Sequence, residues 1–155
     1  MSSLLLIAVI TALYASYNLL VKVSSDYVTV NVTSTVLATI CLQVAALTAS
    51  LCFLSFLLAR GGQVLMLSTR AYLWAASAGL CIGVAEIFYF YLFRGGEGRE
   101  AVAANVAIPI IVSGTIAITL IVSYFLFREP LTPVQLGGTL LVIAGMALIA
   151  VGAAG

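Results

Sequence analysis

Three features of the chain predict an all-α integral membrane fold of five transmembrane helices. The 155 residues are 64% hydrophobic and 7% charged, where a soluble domain carries roughly a quarter charged residues. The apolar stretches are continuous and near the ~20 residues that cross a bilayer as a helix, whereas barrel strands alternate over about ten. The charged residues fall between these stretches or at their ends, with one exception, Glu86. A water-soluble core of this length cannot bury so much apolar surface, so the lipid bilayer is the expected solvent. The expected setting is the cell (inner) membrane, crossed several times. With a net charge of +1 and no basic cluster, nucleic acid is not an expected partner.

The first span is expected at about residues 4–22. It lacks the basic leader of a signal peptide and its apolar run exceeds a typical signal core, so it reads as a membrane helix. Tyr14, Asn18 and Lys22 recur every four positions and share one face, with Tyr17 beside it. Lys22 can place its ammonium at the interface, and Ser24, Ser25 and Asp26 read as a short loop.

The second span is expected at about 36–58, with Asn31, Thr33 and Ser34 as candidate N-caps. Thr35, Thr39 and Gln43 form a row at spacing four, which puts Gln43 inside the bilayer. The third, at about 72–93, carries Glu86. A charge there is expensive, roughly 2.5–3.5 kcal/mol on insertion scales, so it is expected to face water or a partner inside the protein. Gly79 and Gly83, four apart, make a small-residue face that lets another helix approach. Glu86, Tyr89 and Phe90 continue that broad side. Residues 94–100, RGGEGRE, read as the most flexible loop.

The fourth span, at about 101–127, contains Pro109, whose ring clashes with the carbonyl of Asn105 and predicts a kink. Asn105, Pro109 and Ser113 share that face. Thr132-Pro133-Val134-Gln135 reads as a capping box with proline at the first helical position. The fifth span then runs at about 133–151. Gly138, Gly145 and Gly152 repeat every seven residues, a smooth seam for helix packing. The whole reads as a single five-helix membrane domain over 1–155, without a strong internal repeat.

Five crossings place Arg60, Arg70 and Arg128 on one side and Lys22, Arg94 and Arg99 on the other, three each. The positive-inside rule then sets no preferred orientation. Two copies inserted in opposite senses would form an inverted pair with a site at their interface.

Residues 79–149 resemble half of an EamA-type transporter of the drug/metabolite transporter superfamily. The matching features are the aromatic tail FYFYLFR at 88–94, the small residues 101–104 and Pro109. The sharpest is REPLTPVQLGGTLLVIAGMALI at 128–149; ALYASYNLLVK in the first span is a weaker match. That family usually has ten helices in two inverted five-helix halves. The resemblance therefore implies a stand-alone half pairing with itself, as an antiparallel homodimer, or with a close partner. The related small multidrug resistance proteins carry an essential acid in the first helix. Here that helix has Asn18 and Lys22 and no carboxylate, so the resemblance assigns Glu86 no role.

On the residues alone, Glu86 is either a coupling or substrate-contacting acid or a neutral acid bridging to Asn18, Gln43 or Lys22. An apolar setting favours an uncharged carboxyl, which suits exchange of a proton for a cationic substrate. Tyr89 and Tyr91 can line a cavity and contact an organic cation, or serve as interfacial aromatics. Tyr14, Asn18 and Gln43 are candidate lining residues. Pro109 with Asn105 is a candidate hinge. Gly138, Gly145 and Gly152, with Gly79 and Gly83, are candidate dimer-packing positions, or pack within the protomer. Glu129 is expected to shape its turn, paired with Arg128. Cys41, Cys52 and Cys81 sit in apolar runs as small hydrophobes.

Without histidine, a metal-ligand cluster, a phosphate loop or paired buried carboxylates, no enzyme and no cofactor are expected. The expected function is a secondary transporter of small organic metabolites or drug-like molecules by alternating access. The alternative is an accessory or assembly subunit that pairs with another membrane protein; a stable, ligand-binding self-dimer would argue against it.

Overall fold

The structure, a computed structural model, describes residues 2–62, 65–96 and 98–153. It contains helices α1 (Ser3–Asp26), α2 (Val32–Ala59), α3 (Thr69–Arg94), α4 (Ala104–Val122) and α5 (Pro133–Ala153). A π-helical turn, Ser123–Phe127, extends α4. Counting that extension, all five are long and apolar enough to span a bilayer. Large apolar side chains point outward along each of them, among them Leu13, Leu47, Trp74, Ile118 and Leu141. Water does not tolerate such a surface and lipid does. The protein is a multi-pass membrane protein.

The helix ends follow from local chemistry. Ser2, Asn31 and Ser68 cap α1, α2 and α3, each accepting a hydrogen bond from a backbone N–H in the first turn. The Asn31 cap starts α2 at Val32, so its 28 residues run about 42 Å at ~1.5 Å per residue, longer than a ~30 Å hydrocarbon core. Ser24, Ser25 and Asp26, expected as a loop, form the last turn of α1. Asp26 pairs with Lys22 one turn back, and the Ser25 hydroxyl donates to the Lys22 carbonyl at 2.6 Å. These local bonds carry the helix past the polar residues.

Beyond α3, Gly95 has φ +74°, and a Cβ there would stand 2.8 Å from the Arg99 carbonyl oxygen. Only glycine fits. Gly96 and Arg99 then exchange two backbone hydrogen bonds of 3.0 Å, so the stretch expected to be the most flexible closes as a tight turn. Glu97, within it, lies outside the described residues.

The chain divides into two compact units, Met1–Ala101 and Val102–Gly155. In the first, α3 packs against both α1 and α2, and Val21, Thr35, Thr39, Phe90 and Phe93 are buried. In the second, α4 and α5 pack on each other. Residues 101–103 precede α4 and are not helical, and Pro109 lies inside the helix, as expected. The π turn ends at Arg128, which adopts the left-handed conformation at φ 54°. Glu129 is held there by the Ser123 hydroxyl, which donates to its carboxylate; among the described residues the one ion pair is Lys22–Asp26, so the expected Arg128 pairing is replaced. The Thr132–Gln135 capping box forms as read. Thr132 N donates to Gln135 Oε1 at 2.8 Å and Gln135 N to Thr132 Oγ1 at 3.2 Å.

Arg94 ties the first unit together. Its Nη1 donates to the carbonyls of Thr29 (3.0 Å) and Asn31 (2.6 Å) and reaches the buried hydroxyl of Thr35. The end of α3 is thereby fixed to the start of α2. Hydrogen bonds from a charged donor are worth about 1.5–3 kcal/mol. Arg94→Ala should therefore lower stability by about 2 kcal/mol, with Arg94→Lys intermediate because the ammonium keeps the charge and its donors but, on a flexible stem, does not hold them where the rigid guanidinium places Nη1. Thermal unfolding in detergent micelles measures this; equal midpoints for wild type and alanine variant would refute it.

Candidate functional site

The end of α3 fixed by Arg94 sets where Glu86 sits, about two turns earlier on the same helix. Glu86 is 5% exposed, and its Oε2 is buried without a hydrogen-bond partner among the described residues. The Tyr17 hydroxyl, on α1, is likewise buried and lies against the Glu86 carboxyl, within reach of it but without a well-formed hydrogen bond. A phenol against a carboxyl can donate to it after a small side-chain movement, but the bond is not well formed here, and a buried polar group without a hydrogen bond costs several kcal/mol on transfer scales.

Both residues line a cleft of about 410 Å³. Its wall is Tyr14 and Tyr17 from α1, Leu42, Gln43 and Ala46 from α2, and Gly79, Ile82 and Glu86 from α3. Three helices thus meet at one carboxyl. Gln43 leans over Gly83, where a Cβ would come within 3.1 Å of its Nε2. Absence of a side chain at Gly83 lets the amide reach the cleft. The Tyr14 and Tyr17 rings meet edge to face, with centroids 6.4 Å apart.

The expected partners of Glu86 are engaged elsewhere or only nearby. Asn18 accepts a 3.0 Å hydrogen bond from the Tyr89 hydroxyl, which joins α1 to α3. Tyr89 also packs against Phe93, with ring centroids 4.6 Å apart and planes tilted by 56°. Neither Asn18 nor Tyr89 is among the cleft's lining residues. Lys22 is paired with Asp26. Of the residues singled out from the sequence, Tyr14, Gln43, Gly79 and Glu86 come together around the cleft, and Asn18 and Tyr89 pair beside it. Tyr91 lies under the Arg94 guanidinium, 5.3 Å from ring centre to Cζ. Spacing of four from Tyr14 selects Asn18 rather than Tyr17, which the sequence places only beside that face. Its distance of three from Tyr14 puts it on the same broad face.

The hinge candidates and the α5 glycines belong to the second unit. Asn105 and Pro109 are on α4. Added Cβ atoms at Gly79, Gly138, Gly145 and Gly152 would meet nothing within 4 Å, so those backbones stand open, whereas Gly83 is used within the protomer.

The unequal surroundings of the two α3 glycines give a direct comparison. Gly83→Ala should displace Gln43 and lower the unfolding midpoint, while Gly79→Ala should leave the monomer's midpoint unchanged or slightly raised, alanine being the better helix former by about 1 kcal/mol. Equal effects of the two substitutions would argue against the packing of Gln43 on Gly83. No family model, curated protein or solved structure matches this chain.

Proposed function

We propose that the protein is a secondary transporter of small organic molecules, with Glu86 as its coupling or substrate-contacting acid. One observation carries the reading: a carboxyl buried inside an apolar span, with an unpartnered oxygen, at a cleft walled by three helices. An ionisable group in such a place is costly and tends to mark a substrate or proton path. Apart from Glu86, the other acids of the chain, Asp26, Glu97, Glu100 and Glu129, fall at the ends of spans or between them, so a proton-coupled cycle within the bilayer would run through Glu86.

The balanced loop charges and the resemblance to one half of an EamA-type drug/metabolite transporter support an antiparallel homodimer as the working unit. Two such copies would give ten helices related by a two-fold axis in the membrane plane, the arrangement from which alternating access follows. The open glycine seam of α5, Gly138, Gly145 and Gly152, is then a contact between copies, since small residues let helix backbones approach. In the second unit Pro109 gives α4 a point at which to bend, with the Asn105 carbonyl freed by the missing N–H.

The test is pH-driven movement of ethidium, a fluorescent organic cation, in proteoliposomes with an imposed pH gradient. Glu86→Gln keeps the shape and a hydrogen-bonding amide but cannot carry the proton. It should abolish the gradient-driven signal while eluting from a sizing column as wild type does. Full activity in the variant would remove Glu86 from the mechanism.

A further inference from the structure

A second cavity adjoins the first. It is a groove of about 500 Å³ between α1 and α2, lined by Leu13, Leu20, Val21, Ala38 and Ala45 with Phe90 from α3. Tyr17 and Leu42 line both the groove and the carboxyl cleft, so the two spaces adjoin on either side of the Tyr17 ring. Along α1 the groove reaches from Leu13 to Ser24, eleven positions or about 16 Å at ~1.5 Å per residue. Its Ser24 end lies within the last turn of α1, beside the Lys22–Asp26 pair. Its lining is almost wholly apolar, and the hydroxyl of Ser16, one of its few polar groups, is already committed to the Ala12 carbonyl at 2.9 Å.

The two spaces therefore differ in chemistry. One offers a buried carboxyl with a phenol hydroxyl against it; the other offers mainly apolar surface. Small-molecule sites commonly occupy ~300–1,000 Å³, with an apolar lining and a few convergent polar groups. A molecule that satisfied both spaces would carry a positive, hydrogen-donating head and one apolar tail. The head needs N–H groups, because the buried Glu86 Oε2 lacks a well-formed hydrogen bond, the Tyr17 hydroxyl can supply at most one, and charge alone would leave the rest of the carboxyl's acceptor capacity unmet. A quaternary ammonium has no such donor. Resting on the reading of Glu86 as a substrate-contacting acid, we propose that cleft and groove together bind an amphiphilic primary amine. Its ammonium sits between Glu86 and Tyr17, and its tail lies along the groove between α1 and α2.

The tail gains little by leaving lipid for an equally apolar groove, so affinity resides in the head and position in the tail. Octylamine carrying a diazirine in its chain reports both. With the full chain in phosphatidylcholine nanodiscs, photolysis and peptide mass spectrometry should place the adduct on groove residues such as Leu13, Leu20 and Ala38. Glu86→Gln should remove that adduct, Tyr17→Phe should weaken it, and Ala45→Phe should reduce it by filling the groove while leaving the carboxyl cleft intact. Unlabelled octylamine should compete at least about tenfold better than octyltrimethylammonium, which lacks the charge-assisted hydrogen bonds.

Equal competition by the two ammonium compounds, or adducts only on outward-facing Leu80 and Ile118, would overturn the proposal. So would a groove adduct indifferent to Glu86→Gln. The ethidium assay separates the two levels. Loss of pH-driven movement in Glu86→Gln alongside a failed amine experiment sinks the amine and keeps the acid; full movement in that variant removes both.

Discussion

A carboxyl inside lipid must find hydrogen bonds within the protein, and Glu86 shows what happens when the chain supplies a setting but not the bonds. α3 brings the acid to a point where α1 contributes two tyrosines and α2 an amide. Tyr17 comes within reach of the carboxyl, yet none of the three makes a well-formed bond to its free oxygen. Elsewhere the unit is thorough about satisfying polar groups: Thr35 donates to Asn31, Thr39 to Thr35, and the hydroxyls of Thr11, Ser16, Thr48 and Ser77 each bond the carbonyl four residues back. Against that background the loosely paired Tyr17 hydroxyl and Glu86 carboxyl stand out as groups available to something else.

The rigidity that makes this possible is at one end of the first unit. Arg94 joins α3 to the start of α2, Tyr89 joins α3 to α1 through Asn18, and Phe90 and Phe93 fill the space between. Toward the cleft, contact is lighter: Gly83 against Gln43 and an edge-to-face tyrosine pair. A frame fixed at one end and looser at the other suits a site that changes shape. In the second unit the π turn before Arg128 and the capped start of α5 define a sharp reversal. π turns are uncommon and frequently accompany functional positions.

The sequence made the membrane fold, the caps at Asn31 and Thr132, and the isolation of Glu86 legible, because composition, periodicity and capping chemistry are local properties. Helix ends were less so. Nothing in Ser24-Ser25-Asp26 reveals that a pair with Lys22 will keep it helical, and the Arg94 clamp joins residues 59 to 65 positions apart. At the site, spacing gathered Tyr14 and Gln43 near Glu86, since each lies on the polar face of its own helix. It could not rank Tyr17 above Asn18. That choice depends on how α1 is rotated against α3, which is set by packing between helices rather than by either helix alone.

Access to the cleft within the bilayer is the point on which transport and ligand binding both turn. Cys41, Cys52 and Cys81 can be replaced by alanine, and a single cysteine introduced in place of Gln43, which lines the cleft, or of Leu80, which is 73% exposed on an apolar face. Both are then treated with a membrane-impermeant maleimide in intact proteoliposomes. A water-filled path to Glu86 requires reaction at position 43 and none at 80, with octylamine slowing the first. Protection of position 43 together with unchanged folding would mean that the carboxyl is sealed within the protein, and would contradict a role in moving substrates.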